Sequence, residues 1–271
     1  MPQPDSLYYH VIAEDGGPIY VETNLDNFVV EPFNAVSAFL FLFIVGYWFR
    51  KIDGRYQKHT FLTLSVPVLL VGGIGGTLYH AFRVSEVFLV MDWLPIFLLT
   101  MAATAYYLFR VMGQWRYVFL SMSVILLLEI INFRVFEAQG IYSAHTATNV
   151  SYAIVGIFTV SAVFLLLSRT RFRHFRSIVY ALTAFALALF FRIADPWALL
   201  PVGTHFLWHT FGALSCHFIF QYTYKLNEYP PVGRWVSTRT QEAPDAENRP
   251  GSAAGRKTDS ETPSGYRGTQ Q

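Results

Sequence analysis

The sequence predicts an all-α membrane protein, a seven-transmembrane-helix bundle with its N-terminus outside or lumenal and its C-terminus cytoplasmic. Three observations predict it. Hydrophobic residues make up 53% of the chain against 14% charged, and the mean hydropathy is +0.34, more apolar than is usual for a domain dissolved in water. Seven windows reach the roughly 20 mainly apolar residues needed to cross a hydrocarbon core. Lys and Arg gather in alternate connections, and that asymmetry sets orientation.

The windows run over residues 31–49, 60–82, 87–109, 117–136, 146–167, 175–193 and 202–224. The first has to act as its own targeting signal, because the 49 residues before Arg50 contain no Lys or Arg and no short apolar run ending in small residues. The second ends near His80, and the third carries Asp92 close to its start. Glu129 and Asn132 interrupt the fourth, and His205, His209 and His217 the seventh, so both must turn one side toward protein or water. The fifth and sixth complete the count. Phe at 25 positions and aromatic residues at 17% suit packing against acyl chains and interfacial belts.

Arg50, Lys51, Arg55 and Lys58, then Arg110 and Arg116, then Arg169, Arg171, Arg173 and Arg176, and finally Lys225 mark the cytoplasmic side. Arg83, Arg134 and Arg192 are the exceptions on the other side. The chain therefore divides into an extracytoplasmic acidic segment over 1–30, a membrane domain over 31–226, and a Pro-, Gly- and Ser-rich tail over 227–271. The tail lacks the apolar surface to offset ordering and is expected to be disordered in the cytoplasm. The net charge of +2 is uninformative. The single cysteine, Cys216, excludes an intrachain disulfide and a thiolate-built metal site, so a metal here would need histidine and carboxylate ligands.

With that topology, His80, Asp92, His205 and His209 fall in one leaflet although they are distant in sequence. His205 and His209 stand one helical turn apart on one face, the spacing by which a helix offers two imidazoles to one ion. With His80 as third ligand, zinc keeps a fourth tetrahedral position for water, the catalytic rather than the structural pattern. Bound zinc brings the pKa of such a water to about 7 and polarises a carbonyl, and Asp92 is placed to accept and return a proton. This is the equipment of an amide or ester hydrolase. Taken alone, a histidine pair of this spacing is more often a packing feature, and His217, His10, His59, His145 and His174 are read that way. Glu129 is expected either to carry a proton or to pair with Arg134 or Arg192. The acidic N-terminal segment, with Asp15, Glu22, Asn24, Asp26 and Glu31, is either a calcium loop or, as spacing alone favours, a solvated acidic stretch.

Three blocks, EPFNAVSAFLF, GGTLYHAFRVSEVFLVMDWLP and GTHFLWHTFGAL, make the chain from about Tyr20 to Tyr224 resemble the alkaline ceramidase family, within the heptahelical zinc-dependent membrane hydrolases that include adiponectin-receptor-like proteins. The resemblance implies zinc on His80, His205 and His209, catalysis by Asp92, and calcium on Glu22, Asn24 and Glu31. It implies hydrolysis of the N-acyl bond of ceramide or a similar lipid, in the bacterial inner membrane or a eukaryotic ER or Golgi membrane. The partner is then a membrane lipid and no nucleic acid. The chain departs from the family pattern in three places. Gly76 stands where a serine steadies the oxyanion, leaving Thr77 as the nearby hydroxyl; Ile19 replaces an acidic ligand; and the His80 to Asp92 spacing is one residue longer, to be absorbed between Arg83 and Glu86. Hydrolysis of another acyl lipid keeps the zinc and changes the substrate. A non-enzymatic receptor or lipid-binding protein is the rival from another class, and Gly76 favours it.

Overall fold

A computed structural model describes residues 15–138 and 144–228, with the side chains of 144–146 left aside. All of these belong to one compact unit, Met1–Val232. The expectations for His10, for the imidazole of His145 and for the tail beyond Glu228 lie outside the described residues.

Seven α-helices follow one another without a strand among the described residues: α1 Pro32–Ile52, α2 Thr60–Phe82, α3 Glu86–Met112, α4 Trp115–Ala138, α5 Ala144–Arg169, α6 Phe175–Ala194 and α7 His205–Glu228. The first six are both long and apolar enough to span a bilayer. The seventh has the length, roughly 36 Å at 1.5 Å per residue, but three histidines, Gln221 and Lys225 dilute its apolar run. It continues past Tyr224, through two residues that composition assigned to the tail. The reason is side-chain pairing: Glu228 takes Arg55 at 2.9 Å and Lys58 at 2.6 Å, while Asn227 accepts from the Tyr106 hydroxyl at 3.0 Å.

Helix α1 packs between α2 and α7, α2 between α1 and α3, and α3 against both α4 and α5, while α6 packs on α7. Small residues permit the closest of these approaches, as is usual where helices associate in lipid. A β-carbon on Gly75 of α2 would run into Met91 of α3. Ala181, Ala184 and Ala188 are buried along α6. Helices α5 and α6, consecutive in sequence, are not among the closely packed pairs. The space between them belongs to a cavity of about 610 Å³ whose wall includes Phe97 and Tyr107 of α3, Gly156 of α5, Phe185 of α6 and Ile219 of α7. Outward faces are apolar, as on α4, where Phe119, Leu120, Leu127 and Ile130 are exposed, which suits a lipid solvent.

Candidate metal centre

The end of α2, the start of α3 and the first turns of α7 meet at one end of the bundle. His80, His205 and His209 are 0%, 2% and 3% exposed. One ring nitrogen from each lies within 4.8 Å of the others. Among the described residues this is the group of His, Cys, Asp or Glu side chains close enough to share an ion.

What holds the imidazoles decides which nitrogen faces the centre. His80 Nδ1 is 2.5 Å from Glu31 Oε2, and a carboxylate only accepts, so Nδ1 carries the proton. His209 Nδ1 lies 3.2 Å from the Asn34 carbonyl oxygen and 3.1 Å from Ser37 Oγ, and the same reasoning applies. The Nε2 atoms of His80 and His209 are thereby left as lone-pair donors, both buried and without a hydrogen-bond partner. Buried polar atoms are nearly always matched, and two unmatched imidazole nitrogens converging on one point fit a metal ion, with Glu31 and Asn34 as outer partners of the kind that fix metal-binding histidines. Tyr20 stacks on His205 with ring centroids 3.8 Å apart.

The N-terminal loop is bound to this centre through charge. Arg83 grips Asp15 through Nε at 2.6 Å and Nη2 at 2.9 Å, and donates from Nη1 to Glu31 Oε1 at 2.5 Å. Its backbone takes the left-handed conformation that ends α2, at φ 54°, uncommon for a residue with a β-carbon. The loop also caps α2, since the amides of Val30 and Glu31 donate to the carbonyls of Ala81 and His80. Burial raises the Asp15 pKa, but Arg83 and the Gly17 amide outweigh it and hold the carboxyl below its usual range. Arg83 is opposed by burial yet pushed upward by Asp15 and Glu31, so it stays charged.

Asp92, on the first turns of α3, has Oδ2 4.0 Å from His80 Nε2, with its side chain 24% exposed. It lines the cavity together with His209. Gly76 lies directly beneath it, and a β-carbon there would collide with Asp92 Oδ1. The carboxylate thus occupies the space a side chain at position 76 would need. The Thr77 hydroxyl donates to the Gly73 carbonyl of its own helix at 2.7 Å; serving an oxyanion would require it to rotate away.

The acidic loop side chains are individually engaged. Glu22 accepts from the amides of Phe33 at 2.5 Å and Asn34 at 2.9 Å, capping α1, and burial nonetheless pushes its pKa up against those two bonds. Glu31 is shared among Thr23, Asn34, His80 and Arg83. Asn24 accepts from the Asp26 amide at 3.1 Å. His217 sits among Tyr47, Trp48 and Phe218, away from the triad. His59 meets Glu228 at 2.9 Å, and His174 precedes α6. Neither arginine expected for Glu129 reaches it. Arg134 takes Glu137 at 3.0 Å; Arg192 donates to Asn149 at 3.4 Å and lies over the rings of Tyr152 and Trp208.

Sequence reasoning missed Asp195, whose Oδ1 accepts from the amides of Thr204 at 2.6 Å and His205 at 2.9 Å and so fixes the start of α7. It also gave Arg83 no role beyond a loop. A signal existed for Arg83, since basic residues on the side that the charge bias leaves nearly bare call for a structural reason. No family model, curated protein or solved structure matches this chain.

Proposed function

We propose that this chain is a zinc-dependent membrane amidase of the alkaline ceramidase type, hydrolysing the N-acyl bond of ceramide or a ceramide-like lipid to a long-chain base and a fatty acid. In this reading all seven helices span, the N-terminus is outside and the tail is cytoplasmic. The supporting observation is the buried His80, His205 and His209 cluster, in which the Nε2 atoms of His80 and His209 are unmatched, beside an apolar cavity that His209 helps to line.

His80, His205 and His209 would hold the ion. When bound, zinc supplies a Lewis acid for the amide carbonyl and lowers the pKa of a water nearby. Glu31 keeps the proton of His80 on Nδ1, and Asn34 does the same for His209. Asp92 takes a proton at its carboxylate from the attacking water and returns it to the leaving nitrogen. The cavity wall of Phe97, Phe185 and Ile219 shelters the hydrocarbon chains, and the loosely packed α5 and α6 offer entry from lipid. Calcium on Glu22, Asn24 and Glu31 is a separate proposal, in which the ion draws Glu22 away from the amides it caps. Added calcium should then raise the melting temperature of the wild type and not of Glu22→Gln; equal melting curves would remove it.

Metal analysis of purified protein is expected to find one zinc per chain, lost in His209→Ala. Fatty-acid release from N-acyl long-chain bases is expected from the wild type and not from Asp92→Ala. Zinc retained by His209→Ala, or equal release by the two forms, counts against the assignment. Zinc without release from any acyl lipid would favour the receptor reading.

A further inference from the structure

The fourth helix carries a carboxyl group that this mechanism does not use. Glu129 is 5% exposed, and neither of its oxygens has a hydrogen-bond partner among the described residues. Three residues along, Asn132 donates its amide to the Ala147 carbonyl at 2.9 Å, while its own buried oxygen is likewise unmatched. Residues three apart share a helix face, so α4 gathers three oxygen acceptors with no donor supplied to them. Leaving such groups unmatched in an apolar setting is costly. Glu129 of α4 lines the same cavity as Asp92 of α3 and His209 of α7.

We infer that Glu129, with Asn132 beside it, binds a hydroxyl group of a chain-bearing lipid, at a subsite separate from the three histidines. The chemistry selects the ligand. A hydroxyl both donates and accepts, so it matches Glu129 ionised or neutral, whereas an ammonium suits only the ionised form. A carbonyl or phosphate group brings only acceptors: the neutral carboxyl could meet one with its single O–H, but neither the ionised carboxylate nor the Asn132 oxygen could meet any. The remaining wall is mainly hydrocarbon, so the hydroxyl must belong to an amphiphile with a long chain. This deepens the lipid-hydrolase reading and rests on it for the identity of the lipid: Glu129 selects hydroxylated long-chain bases over deoxy ones.

The test uses the full chain in nanodiscs, titrated with an N-acyl long-chain base and with its analogue lacking the hydroxyls. Every form, the one called wild type included, carries Asp92→Ala to stop hydrolysis, and fluorescence of Trp93 and Trp208, both on the cavity wall, reports binding without turnover. The wild type is expected to bind the hydroxylated lipid about tenfold more tightly. Glu129→Leu should lose that preference, and the isosteric Glu129→Gln should reduce it severalfold, so that either variant decides if the other fails to fold. Zinc content should be the same in all. A preference unchanged by both substitutions, or a wild type binding the two lipids alike, overturns the inference. A Glu129-dependent preference, with neither zinc nor hydrolysis in the chain that keeps Asp92, would instead sink the hydrolase reading and leave this subsite standing.

Discussion

Glu31 touches both halves of the centre: one oxygen meets His80, the other Arg83. Its charge fixes the imidazole tautomer and neutralises a buried guanidinium. Glu31→Gln should therefore retain the fold, which Arg83 still ties to Asp15, but on the proposed zinc reading weaken binding of the ion by about 10- to 100-fold, as loss of an outer partner does; competition with a chelator measures it. Gly76 makes the second residue-scale prediction. Alanine or serine at 76 places a β-carbon against Asp92 Oδ1, so the carboxylate must move while the histidines need not. If the proposed hydrolase reading holds, Gly76→Ser is thus expected to lower lipid hydrolysis, by about 100-fold if the shift approaches 1 Å, with zinc content unchanged. Faster turnover in Gly76→Ser would show that the carboxylate has room to yield.

At the scale of elements, what positions the triad is how helix ends are closed. Asp195 caps α7 and also accepts from the Val21 amide at 3.2 Å, while Gly203, at φ +70°, turns the chain where a side chain would strike that carboxylate. Asp195→Ala should cost about 1–2 kcal/mol, read as a lower melting temperature in detergent. Asp15 gives a pH dependence of defined sign. Its folded pKa lies below the unfolded 3.8, so its contribution is present above that value and is lost as pH falls through the folded one. The melting temperature of Asp15→Asn should start lower at neutral pH and fall less steeply below about pH 4; parallel curves would separate Asp15 from acid stability. The helices themselves were legible because span length is set by apolar composition, and His205 and His209 because a one-turn spacing is a local property. Arg83 to Asp15, 68 residues apart, and Asp195 to Val21, 174 apart, join loops that carry no periodic pattern, so only the folded chain reveals them.

Across the whole molecule, the histidines and Asp92 gather at one end of a largely hydrocarbon-walled space, with Glu129 and a few hydroxyls along the rest of its wall. Sequence alone gave seven windows but not their arrangement, and the unexpected feature is that α5 and α6 stand apart. At the histidine end the gap is spanned by Arg192 of α6, which reaches Asn149 and the Tyr152 ring of α5; farther from the histidines the wall is mostly apolar. Gly156 of α5 lines this space, and a β-carbon placed there would meet nothing within 4 Å. It sits two turns past Thr148, roughly 12 Å along the helix axis, at a depth that the far end of an acyl chain would pass. Gly156→Leu fills part of the cavity without opposing the helix, since leucine is the better helix former. If hydrocarbon chains occupy the cavity with the amide at Asp92, this substitution should leave zinc content and release of short acyl chains near the wild-type level while depressing release of long ones by about tenfold or more. A uniform loss at every chain length would mean the substitution acts on the centre instead, and no loss at any length would mean that the acyl chain runs elsewhere, outside the space between α5 and α6.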